Sequence, residues 1–174
     1  MIRTVGHGTL DTADLVALLR GAGVDTVADV RRYPGSRRHP HFARQAMEQW
    51  LPAEGIEYRW IGALGGRRPP NPQSRHVALR DAQFRAYADH MAGDEFAAGL
   101  SALRRLADAR SVAVMCSESV WWRCHRRLLA DHLVLIEGTS VEHLFHDGRT
   151  SRHEPTPGAR VEAGRLVYDA LVAQ

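Results

Sequence analysis

The 174-residue sequence contains no lysine and only two cysteines, Cys116 and Cys124. All 23 of its cationic side chains are therefore arginines, whose planar guanidinium groups bind carboxylate and phosphate through paired hydrogen bonds. Coding bias in a GC-rich genome would also remove lysine, so the composition alone leaves the reason open. The net charge of +3 is mild, and the distribution of the arginines carries more information than their number.

The sequence also lacks any apolar run long enough to cross a membrane, and its first residues, MIRTVGHGTL, are too polar for a secretory leader. We therefore expect a cytoplasmic protein with no membrane partner, in which both cysteines stay reduced. The length suits one domain, and we find no repeat or internal boundary, so we expect a single domain over residues 1–174. The oligomeric state is left open.

Three short segments hold about half of the arginines. Residues 31–44 and 62–80 contain nine arginines and no acidic residue, and residues 123–127 add three more. Such segments form either a solvated basic face or, if they flank one cleft, a surface that attracts anions. Residues 62–80 are also rich in glycine and proline and too long for a plain connection, so they are a candidate lid.

Apolar runs and helical patterns alternate along the chain. Short strands are predicted at 2–6, 24–30, 56–62, 111–116 and 140–148, and helices at about 12–20, 42–54, 81–92, 94–109, 119–136 and 160–172. This alternation predicts an α/β fold, a single compact domain with a mainly parallel sheet flanked by helices. In such folds ligands bind beyond the carboxyl ends of the strands. Residues that follow the strands are therefore the candidate site.

The stretch MCSESVWWRCHRR, residues 115–127, supplies the candidate catalytic groups. Cys116 ends a strand and precedes arginines, which would lower the pKa of its thiol and make it a nucleophile, although a small buried cysteine at a strand end is also common. Glu118 is a candidate general acid or base, or the partner of a nearby arginine. His125 either assists proton transfer or is buried and hydrogen-bonded.

The same stretch is not expected to bind a metal. Cys124 and His125 are adjacent, so on the predicted helix their side chains would diverge by roughly 100°. The separation of Cys116 from Cys124 also misses the short spacing that is typical of structural zinc sites. Cys124 continues an apolar stripe and is expected in the core. We therefore expect no metal and no cofactor.

Residues near the first two strand ends complete the predicted site. Asp29 is a candidate catalytic acid, and its more favoured role is to orient Arg31. His7 lies between two glycines, where a backbone can approach a ligand closely. We expect substrate-binding groups from His7, Arg31, Arg32, Ser36, Arg123 and Arg126.

Several of these stretches together resemble the bacterial domain-of-unknown-function family 488. VGHG, DVRRYPGSRRHPHF, LGG and MCSESVWWRCHR occur in the family's order, and the resemblance covers nearly the whole chain. It implies a compact α/β domain and carries no established reaction. The positions that match the family pattern are His7, Asp29, Arg31, Pro34, Ser36, Phe42, Cys116, Glu118, Cys124, His125 and Arg126.

A weaker resemblance links the chain to the rhodanese-like and dual-specificity phosphatase domains, and it is carried by ADVRR and VMCSESVWWR. In those domains a strand, a cysteine, an arginine-bearing loop and a helix follow one another. The loop here is longer and has no glycine, and two tryptophans lie in it. These residues make a closed cradle of backbone amides hard to form.

The sequence leads to three functional hypotheses, and whether the chain is an enzyme stays uncertain at this stage. The first is an enzyme that acts on an anionic substrate, a nucleotide or a nucleic acid, with Cys116 and Glu118 in an arginine-rich cleft. The second is a nucleic-acid-binding module without catalysis, whose affinity would fall steeply with salt. The third is a thiol enzyme of the rhodanese or phosphatase type.

Overall fold

A computed structural model describes residues 1–35 and 38–169 of the chain. Over this part, a sheet of six strands is accompanied by five α-helices and a separate two-stranded hairpin. The sheet strands are β1 (Ile2–Gly6), β2 (Thr26–Asp29), β3 (Glu57–Trp60), β4 (Val112–Cys116), β5 (Val141–Leu144) and β6 (Thr150–Arg152). The helices are α1 (Thr12–Gly21), α2 (Arg44–Ala53), α3 (Ala82–His90), α4 (Asp94–Ala109) and α5 (Arg126–Leu135). The hairpin strands are β7 (Ala159–Glu162) and β8 (Arg165–Tyr168).

The sheet has the strand order β3-β2-β4-β1-β5-β6. Its first four pairings are parallel, and the last, between β5 and β6, is antiparallel. The predicted α/β fold with a mainly parallel sheet is therefore confirmed. The central strand β4 is buried along its whole length, as expected for a strand covered on both faces.

Alternate residues of β4 pack into two separate cores because successive side chains of a strand point to opposite faces. Val112 and Val114 belong to the core under α3, α4 and α5. Ala113 and Met115 belong to the core under α1 and α2. Two helical layers thus enclose the sheet, and the edge at the carboxyl ends of its strands stays open for a site.

The carboxyl ends of the central strands are joined by backbone hydrogen bonds that continue past the strands. His7 N donates to the Cys116 carbonyl over 3.0 Å, and Val30 N donates to the Met115 carbonyl over 3.0 Å. A side chain at Gly6 would overlap the Glu118 carbonyl, so glycine lets the segment after β4 lie against the end of β1. The loops after β1, β2 and β4 are therefore held together.

Two predicted helices are wrong. The helix expected over 119–136 begins only at Arg126, and a short 3-10 helix, Trp121–Arg123, precedes it. The helix expected over 160–172 is the β7–β8 hairpin, and three strands follow the one predicted as the last. The end of that prediction, 170–172, lies outside the described residues. None of the described helices has the length and apolar character that crossing a membrane requires.

Candidate functional site

Three donor atoms meet at the carboxyl end of β4. The Sγ atoms of Cys116 and Cys124 and a ring nitrogen of His125 all lie within 4.8 Å of one another, and we call this group the cysteine–histidine centre. His125 Nδ1 is 3.6 Å from the Cys124 sulfur and 4.0 Å from the Cys116 sulfur. Both cysteines are buried and reduced. The Nε2 atom of His125 is buried without a partner in the described part of the chain.

The local backbone explains why adjacent residues can face one centre. Cys116 is the last residue of β4, so the strand fixes its position. Cys124 has extended backbone angles, φ −121° and ψ 150°, and His125 precedes α5 as its N-terminal cap. The divergence expected from a helix therefore does not apply, so one of the two reasons for expecting no metal, the helical geometry, is wrong. Cys124 is buried, as expected of a core residue, and its sulfur also contacts His125 and Arg126.

Arg126 is buried beside this centre with 1% of its surface exposed. Its Nε donates to the Cys124 sulfur over 3.5 Å, Nη1 donates to Thr4 Oγ1 over 3.4 Å, and Nη2 donates to the Glu118 carbonyl. None of these acceptors is a carboxylate. A buried guanidinium favours a compensating negative charge, and among these acceptors the Cys124 thiol is the group that can ionise. Arg126 is expected from the sequence among the substrate-binding groups, but its side chain points into the interior and does not line the pocket described below.

The two thiols titrate as a coupled pair, and their pKa values move in opposite directions. Hydrogen bonding from the Cys116 thiol lowers the pKa of Cys124 despite burial, and the charge of Arg126 lowers it further. The same contact, together with burial, raises the pKa of Cys116. The predicted activation of Cys116 is therefore reversed. Cys124, which touches the arginine, is the thiol of the pair whose pKa is lowered.

A chain of buried hydrogen bonds supports Arg126 from behind. Thr4 Oγ1 lies 2.7 Å from His143 Nδ1, and His143 Nε2 lies 2.9 Å from His153 Nδ1. His153 Nε2 in turn lies 2.8 Å from a carboxylate oxygen of Asp131. Donation can run in one direction from Arg126 to Asp131, with each imidazole neutral and each polar atom satisfied. Burial lowers the pKa of His143 to about 3, which keeps it neutral in this chain.

The centre forms the floor of a pocket of about 240 Å³. Its basic lining residues are Arg31, Arg32, Arg67 and Arg123, and its aromatic ones are Tyr33, Phe84 and Tyr87. Among the residues that the structure describes, Glu118 is the single acidic one in its lining. Arg67 and Arg123 are exposed, so their guanidinium groups are accessible to a ligand. The balance of charge in the pocket is therefore positive.

Arg31 is held rigidly at the pocket wall by Asp29. Its Nε and Nη2 donate to the two carboxylate oxygens of Asp29 over 2.9 and 2.6 Å, and Tyr58 Oη donates to the same carboxylate over 2.7 Å. Asp29 is fully buried and does not line the pocket. Its contacts are those of the orienting role, and they contradict direct catalysis by Asp29.

His7 also supports Arg31 and does not reach the pocket. Its ring stacks on Phe42 with 4.0 Å between centroids, and its Nε2 lies 3.3 Å from Arg31 Nη1. Burial, reinforced by the charge of Arg31, lowers the pKa of His7 to about 4. The neutral ring accepts from Arg31 through Nε2 and donates from Nδ1 to the Gly8 carbonyl. His7, expected from the sequence among the substrate-binding groups, therefore lies outside the pocket lining and contacts Arg31 and Phe42.

The remaining predicted residues fall into different places. Glu118 is exposed at the pocket rim, where its carboxylate accepts from Val120 N over 3.0 Å. Arg32 and Arg123 line the pocket as expected of substrate-binding residues. Ser36 lies outside the described residues. The candidate lid, 62–80, is anchored by Arg68, which is buried and donates to Glu95 and to backbone carbonyls.

Sequence reasoning missed several residues that shape the centre. The Tyr87 ring lies 5.0 Å from that of His125, and a side chain at Gly66 would come within 2.9 Å of His125 Nδ1. Thr4 accepts a hydrogen bond from Arg126, and His143 supports Thr4 from a strand that is distant in sequence. The LGG motif at 64–66 was one available signal, because glycine permits this close approach of the loop to His125.

No curated protein and no solved structure matches the chain. One family model, described as a domain of unknown function, DUF488, matches residues 11–133. The match covers more than half of the chain, and it includes every residue named above as lining the pocket. The chain therefore belongs to the DUF488 family.

Proposed function

We propose that the chain is an enzyme that binds an anionic substrate, a nucleotide or a nucleic acid by preference, and acts on it at the cysteine–histidine centre. The observation that carries this proposal is that accessible guanidinium groups and the centre line one pocket. Neither feature alone would suffice, because arginine-rich faces and buried cysteines are both common.

The charges of the pocket favour a phosphate-bearing ligand. Arg32, Arg67 and Arg123 surround the mouth, and Glu118 is their one acidic counterpart in the lining. Planar guanidinium groups bind phosphate through paired hydrogen bonds. Arg31 adds a fixed positive charge, although most of its N–H groups are already committed to Asp29 and His7.

The aromatic residues and the size of the pocket favour a nucleotide unit. Tyr33 is 65% exposed at the rim, and Phe84 lies on the lining with it, so a base can stack there while its phosphate enters. In this proposal the phosphate enters the pocket, which has a volume of about 240 Å³, and the base stays at the mouth. The phosphate would then lie against Cys124 and His125, with Glu118 placed to exchange a proton.

Isothermal titration with adenosine monophosphate and with a short single-stranded oligonucleotide tests the proposal. We expect binding to wild-type protein that falls at least tenfold in Arg123→Met and in Arg67→Met. Arg149→Met is the matched control, since this exposed arginine loses the same charge away from the pocket. Equal loss in all three variants, or no binding of either probe, would overturn the proposal.

The same proteins separate the enzyme from the binding-only hypothesis. Incubation of wild-type protein with the bound probe, followed by phosphorus NMR, is expected to show turnover that Cys124→Ser and His125→Gln lose. Binding that survives these substitutions, with no turnover by wild-type protein, would favour a nucleic-acid-binding module instead. In that case the affinity should fall steeply with salt.

A further inference from the structure

The cysteine–histidine centre has the composition of a metal site as well as that of a thiol site. Two sulfurs and an imidazole nitrogen are the donor set that zinc favours. With Zn–S and Zn–N bonds of about 2.3 and 2.0 Å, the sulfur-to-nitrogen edge of a tetrahedral site is about 3.5 Å. The observed separations from His125 Nδ1 are 3.6 and 4.0 Å. The three atoms are therefore placed as three corners of such a site.

The donors are also held in place by the structure around them. Cys116 ends a strand that is paired on both sides, with β1 and β2. Gly66 and the ring of Tyr87 pack against His125, and Nδ1 is the nitrogen that faces both sulfurs. Arg126 donates to the Cys124 sulfur, and such outer hydrogen bonds orient metal-binding groups.

We propose that this centre binds one Zn²⁺ ion through Cys116 Sγ, Cys124 Sγ and His125 Nδ1, with its fourth position facing the arginine-lined pocket. All three residues line that pocket, so a ligand entering it can reach the metal. Three protein ligands and one exchangeable position are the arrangement of catalytic zinc, whereas structural sites are closed by four protein ligands.

The charges of the site link the metal to the proposed substrate. Two thiolates neutralise Zn²⁺, so the buried Arg126 leaves the occupied centre with one positive charge. An anionic group in the fourth position balances that charge. The inference rests on the proposed function in this respect, because it assigns the substrate's anionic oxygen to the metal, where Lewis-acid polarisation would act on it.

Equilibrium dialysis of the full, tag-free chain against Zn²⁺, in a phosphine reductant and without substrate, tests the site. We expect one Zn²⁺ per chain, with affinity lowered at least a hundredfold in Cys116→Ser, Cys124→Ser and His125→Gln. His41→Gln is the matched control, because His41 lies outside the centre and contacts the Leu10 carbonyl. Unchanged binding in the three variants would place the metal elsewhere and overturn the inference.

Substitution by Co²⁺ gives a second measurement that needs no variant. A tetrahedral cobalt ion with two thiolates shows sulfur-to-metal charge transfer in the near ultraviolet and intense visible bands, and we expect both in wild-type protein. Their absence at saturating Co²⁺ contradicts the inference even if a cysteine variant fails to fold. Metal binding without nucleotide binding would overturn the proposed function alone, and nucleotide binding without metal would overturn the metal site alone.

Discussion

The buried pair of Asp29 and Arg31 is expected to be strongly coupled, and a double-mutant cycle measures that coupling. Asp29 is fully buried and Arg31 is 7% exposed. The carboxylate accepts three hydrogen bonds from Arg31, at 2.6, 2.9 and 3.0 Å, and a fourth from Tyr58. Asp29→Asn keeps the shape of the side chain and removes its charge, which leaves the guanidinium uncompensated.

Breaking one side of a buried ion pair costs about 3–5 kcal/mol of unfolding free energy. We expect that loss for Asp29→Asn and a similar loss for Arg31→Met. The double variant removes both charges, so its loss should not exceed that of either single variant, and the coupling should reach about 3 kcal/mol or more. The exposed pair Arg44 and Glu48 is the control, where Glu48→Gln should cost about 0.3–0.5 kcal/mol.

Urea denaturation of the four proteins, followed by tryptophan fluorescence, gives the cycle. The reasoning fails if the two single losses add to within about 0.5 kcal/mol, since additivity is the behaviour of independent sites. It also fails if Asp29→Asn costs no more than the Glu48→Gln control. Either result would mean that Arg31 is not fixed by Asp29.

Three further predictions concern the packing around the centre and its buried histidines. Gly66→Ala should lower the free energy of unfolding in urea by about 1–3 kcal/mol, because its methyl group meets His125. In the control Gly21→Ala the added methyl group meets no atom within 4 Å, so this change should stabilise α1 by about 0.5–1 kcal/mol. Equal effects of the two substitutions would contradict the packing. Gly6→Ala should lose more than Gly66→Ala, because its methyl group overlaps a backbone carbonyl, and soluble yield and melting temperature report it. The unfolded chain protonates His7 and His143 below pH 6.5, but the folded chain does so only near their pKa values of about 4 and about 3. The free energy of unfolding should therefore fall by about 2 kcal/mol as the pH is lowered from 6 to 5. A free energy of unfolding that does not change over this range would refute the prediction.

The parallel sheet could be predicted because its strands and helices alternate with clear apolar patterns. The hairpin at the end of the described chain could not. Its two-residue turn, Ala163 and Gly164, has positive φ at both positions, 49° and 75°. Such turns are usually signalled by Asn-Gly or Asp-Gly, and an alanine there gives little warning. The segment forms strands because β7 and β8 pair with each other, and such pairing is not visible in a local sequence pattern.

The sequence indicated which residues would meet at the carboxyl edge of the sheet, but not the contacts that each of them makes there. Residues after parallel strands meet at one edge of the sheet, which correctly brought Arg31, Cys116 and Glu118 to one place. The roles of the two cysteines depended on where α5 begins. Starting that helix seven residues too early hid the contacts of Cys124, which is buried as expected but whose extended backbone turns it toward His125 and Arg126.

The buried chain of hydrogen bonds behind Arg126 had no local signal either. Thr4 and His143 lie on β1 and β5, which become neighbours only when the sheet forms. A hydrogen-bonded chain across 139 residues of sequence is a product of topology. The arginine-rich composition did indicate a basic pocket, but it did not distinguish Arg67 and Arg123, which face that pocket, from Arg68 and Arg126, which are buried.

The rate at which Cys124 is alkylated by iodoacetamide in metal-free protein, with and without adenosine monophosphate, tests the central claim most directly. Peptide mass spectrometry identifies the modified cysteine. If an anionic ligand binds in the pocket above the cysteine–histidine centre, the nucleotide should slow the modification of Cys124 in wild-type protein and in Arg149→Met, but not in Arg123→Met. Nucleotide binding that leaves the rate unchanged in wild-type protein would contradict the account, because the ligand would then occupy another site.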